Sequence, residues 1–148
     1  MSIKHQIAAS AALVCLAFTG TAAFADEHPY SEGPVVNVSS LKTVDGHFDD
    51  YMKWVATKWK QEQEAAKKAG DVLRYEVLTV EPRAPDDPDV YLVIYYKNWA
   101  ALDGAIEKGD AIAKVTDGSA AAASKASADR ASIRRILGSQ TMQVLNLK

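Results

Sequence analysis

The stretch Asp89-Val90-Tyr91-Leu92-Val93-Ile94-Tyr95-Tyr96-Lys97 constrains this chain more than any other. It is β-branched and aromatic almost throughout, and it follows the breaker run Pro82-Arg83-Ala84-Pro85-Asp86-Asp87-Pro88. Such a stretch forms a strand. Alternation places Val90, Leu92, Ile94 and Tyr96 on one face and Tyr91, Val93 and Tyr95 on the other. Neither face is polar. An antiparallel strand with one wet face alternates apolar with polar, so a strand apolar on both sides needs cover on both. Helices of the same chain supply one cover. A second copy of the chain is expected to supply the other.

The N-terminus carries a targeting signal. Lys4 and His5 precede an apolar run from Ile7 to Phe18, and small residues then end in Ala23-Phe24-Ala25. A charged start, a short apolar stretch and an A-x-A site make a secretory signal peptide. The run falls short of the ~20 residues a membrane-spanning helix needs. The expected organisation is a signal peptide over 1–25, a flexible arm over 26–34 and one folded unit over 35–148. Cleavage would remove Cys15, the only cysteine, so no disulfide supports the mature fold. The expected compartment is the periplasm or the medium, with no membrane contact after cleavage. The formal net charge of −2 offers no electrostatic footprint for nucleic acid.

Periodicity gives the remaining elements. Val35 to Leu41 is predicted as a strand. Phe48, Tyr51, Met52, Val55 and Trp59 fall at helical spacing, predicting a helix over 46–69 with Asp45 as its cap and Gly70 just past its end. Val72 to Glu81 is predicted as a strand with Leu73, Tyr75 and Val77 on one face. Asn98 caps a further helix through Trp99, Leu102 and Ile106, which Asp117-Gly118 interrupts. Alanine-rich helix is expected to resume from Ser119 to Leu137, with a flexible linker over Ala120 to Ala128 as the alternative and Gly138 closing it, before a last strand over Thr141–Leu147.

The order is β-α-β-β-α-β, the ferredoxin-like arrangement. Right-handed crossover puts both helices on one face of a four-stranded antiparallel sheet and leaves the other face bare. A bare apolar face marks a contact surface, and a two-fold homodimer is the commonest way to cover one.

The element order resembles the dimeric α+β barrel superfamily, which includes antibiotic-biosynthesis-monooxygenase-like and stress-responsive barrel proteins. The likeness rests on Gly46-His47-Phe48-Asp49-Asp50-Tyr51 opening the first helix, on Lys68-Ala69-Gly70-Asp71-Val72-Leu73-Arg74-Tyr75 turning into the second strand, and on the strand after Gly138-Ser139. It covers nearly all of the mature chain. It implies an α+β fold and a homodimer. The superfamily holds cofactor-independent oxygenases, haem-handling enzymes and isomerases, so the likeness leaves the reaction open.

Candidate site residues are few. His47, in the first turn of the first helix, is an acid or base near neutral pH or simply a solvated terminus. Trp54, Tyr75, Tyr95 and Trp99, with Trp59, Tyr91 and Tyr96, form an aromatic set that either lines a cavity for a small apolar or aromatic molecule or packs core and dimer. Arg74 and Glu76 share a strand face and make either a cross-strand ion pair or a carboxylate-binding site. Asp26-Glu27-His28 becomes the mature N-terminus, where amine, backbone amides and imidazole can surround Cu(II) or Ni(II) in a square plane. No structural-metal spacing, glycine-rich phosphate loop or nucleophile elbow occurs, and no cofactor is implied.

Overall fold

The computed structural model describes residues 28–148, so the predicted signal peptide lies outside the described residues. The elements are β1 (Tyr30–Thr43), α1 (Phe48–Trp54), a π-helical turn (Val55–Trp59), α2 (Lys60–Ala69), β2 (Val72–Thr79), β3 (Val90–Tyr96), α3 (Ala105–Thr116), α4 (Ala120–Asp129) and β4 (Arg134–Leu147). Short 3-10 turns lead into α3 and out of α4. The strands form one antiparallel sheet in the order β2-β3-β1-β4, which is the ferredoxin-like α+β arrangement.

The core forms where α1 and the π-helical turn meet the inner sheet face. Tyr51, Val55 and Trp59 pack with Leu41, Val90 and Leu92, and all six are nearly or fully buried. Strand β3 is thus covered on its Val90-Leu92-Ile94 side. Arg134 reaches α4 from the same sheet face, donating to the Ser127 carbonyl at 3.3 Å and its hydroxyl at 3.2 Å. Asp89 ties the first turn of the sheet: Thr43 donates to it from its amide at 2.9 Å and from its hydroxyl at 2.6 Å.

The outer face carries Tyr91, Val93 and Tyr95 beside Val36 and Val38. No described helix packs on it. Arg74 and Glu76 pair there at the edge strand, and the Arg74 guanidinium lies 3.5 Å over the Tyr95 ring. The ion pair is therefore within one strand, not across two as expected. Met142 and Leu78, which also belong to this face by register, are 44% and 50% exposed.

Several elements depart from the sequence-based expectation. Strand β1 begins at Tyr30, so the expected arm is extended and Tyr30–Glu32 is paired rather than loose: Tyr30 faces Leu147 across the ladder. Pro34 is tolerated because pairing with β4 is irregular between Glu32 and Val35. Gly33 sits close beside β4, where an added Cβ would lie 3.1 Å from the Val144 side chain and would press that neighbour by a few tenths of an ångström. His47, not Asp45, occupies the cap position of α1, because Gly46 at φ +80° turns the chain just before it. Gly70 takes the left-handed conformation at the end of α2 as expected. An irregularity between Val72 and Arg74 turns Leu73 out to 49% exposure and buries Val72 in its stead. The helix expected to reach Leu137 stops at Asp129, and Ile136 is 56% exposed. The run Arg134-Arg135-Ile136-Leu137-Gly138 belongs to β4, where Ile136 pairs with Leu41 and Gly138 with Ser40.

Candidate ligand groove

The first helical rod buries Tyr51, Val55, Trp59, Gln63 and Ala66 in one stripe. Residues four apart on an α-helix drift around the axis by about 40° per step. Three such steps would carry Gln63 well off the sheet. The π-helical turn at Val55–Trp59 holds more residues per turn and offsets the drift. It therefore brings a glutamine into a stripe that is otherwise apolar. Gln63 is 8% exposed, and its amide has no hydrogen-bond partner among the described residues.

Gln63 lines a groove of about 340 Å³ between the inner sheet face and the helices. Val72, Ile94 and Tyr96 form the floor, Glu62, Gln63 and Ala66 one wall, and Ala105, Gly109, Ile112 and Ala113 of α3 the other. Ala101 and Leu102 close one side. The lining is mostly apolar, and its volume matches the lower range of small-molecule sites.

Polar groups collect at the two ends. At one, Lys108 pairs with Asp71 at 2.8 Å. Burial, then the nearby Asp71, push the Tyr96 phenol upward. At the other end stand Glu62, Thr116 and Asp117. The Thr116 hydroxyl lies 2.7 Å from Asp117 Oδ2. Lys58, which does not line the groove, donates to the Thr116 carbonyl at 2.6 Å and sits 3.9 Å from Asp117 Oδ1. Glu62 has no ion-pair partner within 4.0 Å among the described residues. Burial, then the like charge of Asp117, hold its carboxyl above the usual carboxylate range, against the opposing pull of Arg130 and Lys58.

The residues singled out from sequence are dispersed. None of His47, Trp54, Tyr75, Tyr95 and Trp99 lines this groove. His47 Nδ1 lies 3.1 Å from Asp50, near the start of α1. Trp54 stacks on Tyr51 at 5.6 Å and carries the Arg130 guanidinium 4.0 Å over its ring. Tyr75 meets Trp59 edge-on at 5.3 Å and donates to Glu64 at 2.6 Å, a bond that holds its phenol up at about 12. Tyr95 lies on the outer face, and Trp99 is 50% exposed. Asp26 and Glu27 lie outside the described residues; His28 stacks on Tyr30 at 5.4 Å. Among the described residues no three His, Cys, Asp or Glu side chains gather as a metal site.

Sequence reasoning missed Glu62 and Gln63. The spacing alone hid them: Gln63 is one more step of four past Trp59, but it reaches a core position only because the π-helical turn offsets the drift of an ordinary helix. Such breaks of a local rule mark functional or strained sites.

No protein-family model and no curated protein matches this chain. Two solved structures are similar in arrangement. HapK from Hahella chejuensis is 14% identical, with 73% of this chain and 90% of that one covered and a TM-score of 0.47. PA3566 from Pseudomonas aeruginosa is 12% identical, with 78% and 96% covered and a TM-score of 0.45. Likeness of that degree speaks to neither ligand nor reaction.

Proposed function

We propose that this is an exported homodimeric α+β barrel protein that binds a small apolar or aromatic molecule between its sheet and helices. The observation that carries the reading is the groove itself, a mostly apolar hollow of about 340 Å³ with a few polar groups in its lining. Export rests on the leader over 1–25, and the dimer on the outer face of the sheet, where Leu78 and Met142 are exposed and the described helices lie on the other side. In the barrel, the outer faces of two sheets meet while each groove stays with its own subunit.

Native mass spectrometry of the mature protein purified from its source tests the groove. A small organic adduct is expected on the wild type and absent from Ala113→Trp, whose indole fills the space, with both proteins equally folded by circular dichroism. An adduct retained unchanged by the filled variant would sink the reading.

A second reading rests on Glu62. A carboxyl held above the usual range beside an apolar hollow is suited to proton transfer, as a cofactor-independent oxygenase or an isomerase requires. Turnover of an adduct-derived compound, abolished in Glu62→Gln with binding intact, would distinguish enzyme from carrier.

A further inference from the structure

The groove is not uniformly greasy, and its charges are unequal. Glu62, Asp71 and Asp117 line it against one cation, Lys108, and that cation is already taken by Asp71 at 2.8 Å. Lys58 braces Asp117 from outside the lining. Arg130 faces Glu62 from the turn after α4, but its guanidinium is laid over Trp54 and it does not line the groove either. What remains open to an occupant is the Glu62 carboxylate and, next to it in the chain, the unpartnered Gln63 amide. Gln63 as a residue is 8% exposed, but its amide atoms are not sealed from solvent; they open into the groove without a protein partner, where an occupant can meet them. A carboxylate and an amide oxygen together accept hydrogen bonds and supply negative charge. Their complement is a cationic donor.

We propose that the ligand is an amine: a small molecule whose protonated nitrogen sits between Glu62 and Gln63 and whose apolar body lies along Ala66, Ile94 and Ile112. The inference rests on the groove reading above and adds the head group to it. Acidic ligands are rejected by the same carboxylates. Neutral ligands of the same shape fill the hollow but leave the Gln63 and Glu62 ends unanswered. Charge-assisted hydrogen bonds are about twice as strong as neutral ones, so the amine gains most from this end.

Three near-isosteric probes separate head group from body. Phenethylamine, phenethyl alcohol and hydrocinnamate are titrated calorimetrically into the full mature protein at neutral pH. The amine is expected to bind about tenfold more tightly than the alcohol, and hydrocinnamate most weakly. Glu62→Gln is expected to erase the preference for the amine while leaving the alcohol unchanged. Gln63→Leu, which keeps the helix stripe apolar, is expected to weaken the amine and strengthen the alcohol. Equal affinity for amine and alcohol, or an amine preference that survives both substitutions, overturns the head-group assignment and leaves the groove standing. If none of the three binds, or if Ala113→Trp binds all three as the wild type does, the groove reading fails, and the amine with it.

Discussion

At the scale of single residues, one buried and one half-buried polar group tell most. The Tyr51 hydroxyl is fully buried with no hydrogen-bond partner, and burial raises its phenol to about 12. A hydroxyl in that position stabilises nothing, and an unmet one costs about 1–3 kcal/mol. Tyr51→Phe is therefore expected to leave stability unchanged or raise it by about 1 kcal/mol in urea unfolding. A comparable loss would mean instead that an ordered water meets the hydroxyl. Glu62 behaves as a pH probe. Its carboxyl is raised on folding, so the folded chain holds that proton more firmly than the unfolded one. Stability then falls as pH rises from the ordinary carboxylate range through the raised value, and is unaffected below that range. Glu62→Gln is expected to stabilise the protein at neutral pH by less than about 1 kcal/mol, because solvent reaches the group, and to change nothing near pH 3. Chemical denaturation at the two pH values checks both arms.

Elements show how a local irregularity makes room for a site. The π-helical turn keeps Tyr51, Val55, Trp59 and Gln63 on one side of the rod, and without it Gln63 would face water. Gly109 is the counterpart on α3. It lies inside a helix, lines the groove, and a Cβ added there meets nothing within 4 Å. Glycine in a helix interior is destabilising by roughly 0.5–1 kcal/mol relative to alanine. Gly109→Ala is expected to raise stability by about that amount and, by narrowing the hollow, to weaken binding of phenethyl alcohol several-fold. A variant that gains stability with binding unchanged would place the ligand elsewhere. The two elements misjudged from sequence share one cause. The runs at Tyr30–Pro34 and Arg134–Leu137 have little strand signature of their own, and they are held extended by pairing across the ladder, Tyr30 to Leu147 and Thr43 to Arg134. Long-range pairing overrode local propensity.

For the whole molecule, the question is what covers the outer sheet face. Its centre is already tight: Val93 is 3% exposed and Val36 7%. Tyr91, Val38, Leu78 and Met142 surround that centre, while Arg74 and Glu76 mark the edge. This is an apolar middle with a charged rim, the usual anatomy of a protein contact. The mature protein is expected to sediment as a dimer at micromolar concentration. Met142→Asp combined with Leu78→Asp, both at exposed positions, is expected to give a monomer that keeps its circular dichroism spectrum. A wild type that stays monomeric at high concentration would remove the barrel.

The chain by itself determined the order of elements, the two apolar faces of Val90–Tyr96, the break at Asp117-Gly118 and the end of the first rod at Gly70. These depend on period, caps and turn residues, which act over a few positions. Only the tertiary structure decided that Glu62 and Gln63 face α3 across an apolar hollow, that β1 and β4 run to both ends of their shared ladder, and that Tyr75 and Tyr95 stand on opposite sheet faces. Those outcomes require residues far apart in sequence to meet: the Gln143 amide reaches the Gly33 carbonyl at 2.5 Å across a separation of 110 positions. A pattern confined to neighbours carries no record of such a meeting, because the pairing partner, not the segment, supplies the hydrogen bonds and the burial that fix it.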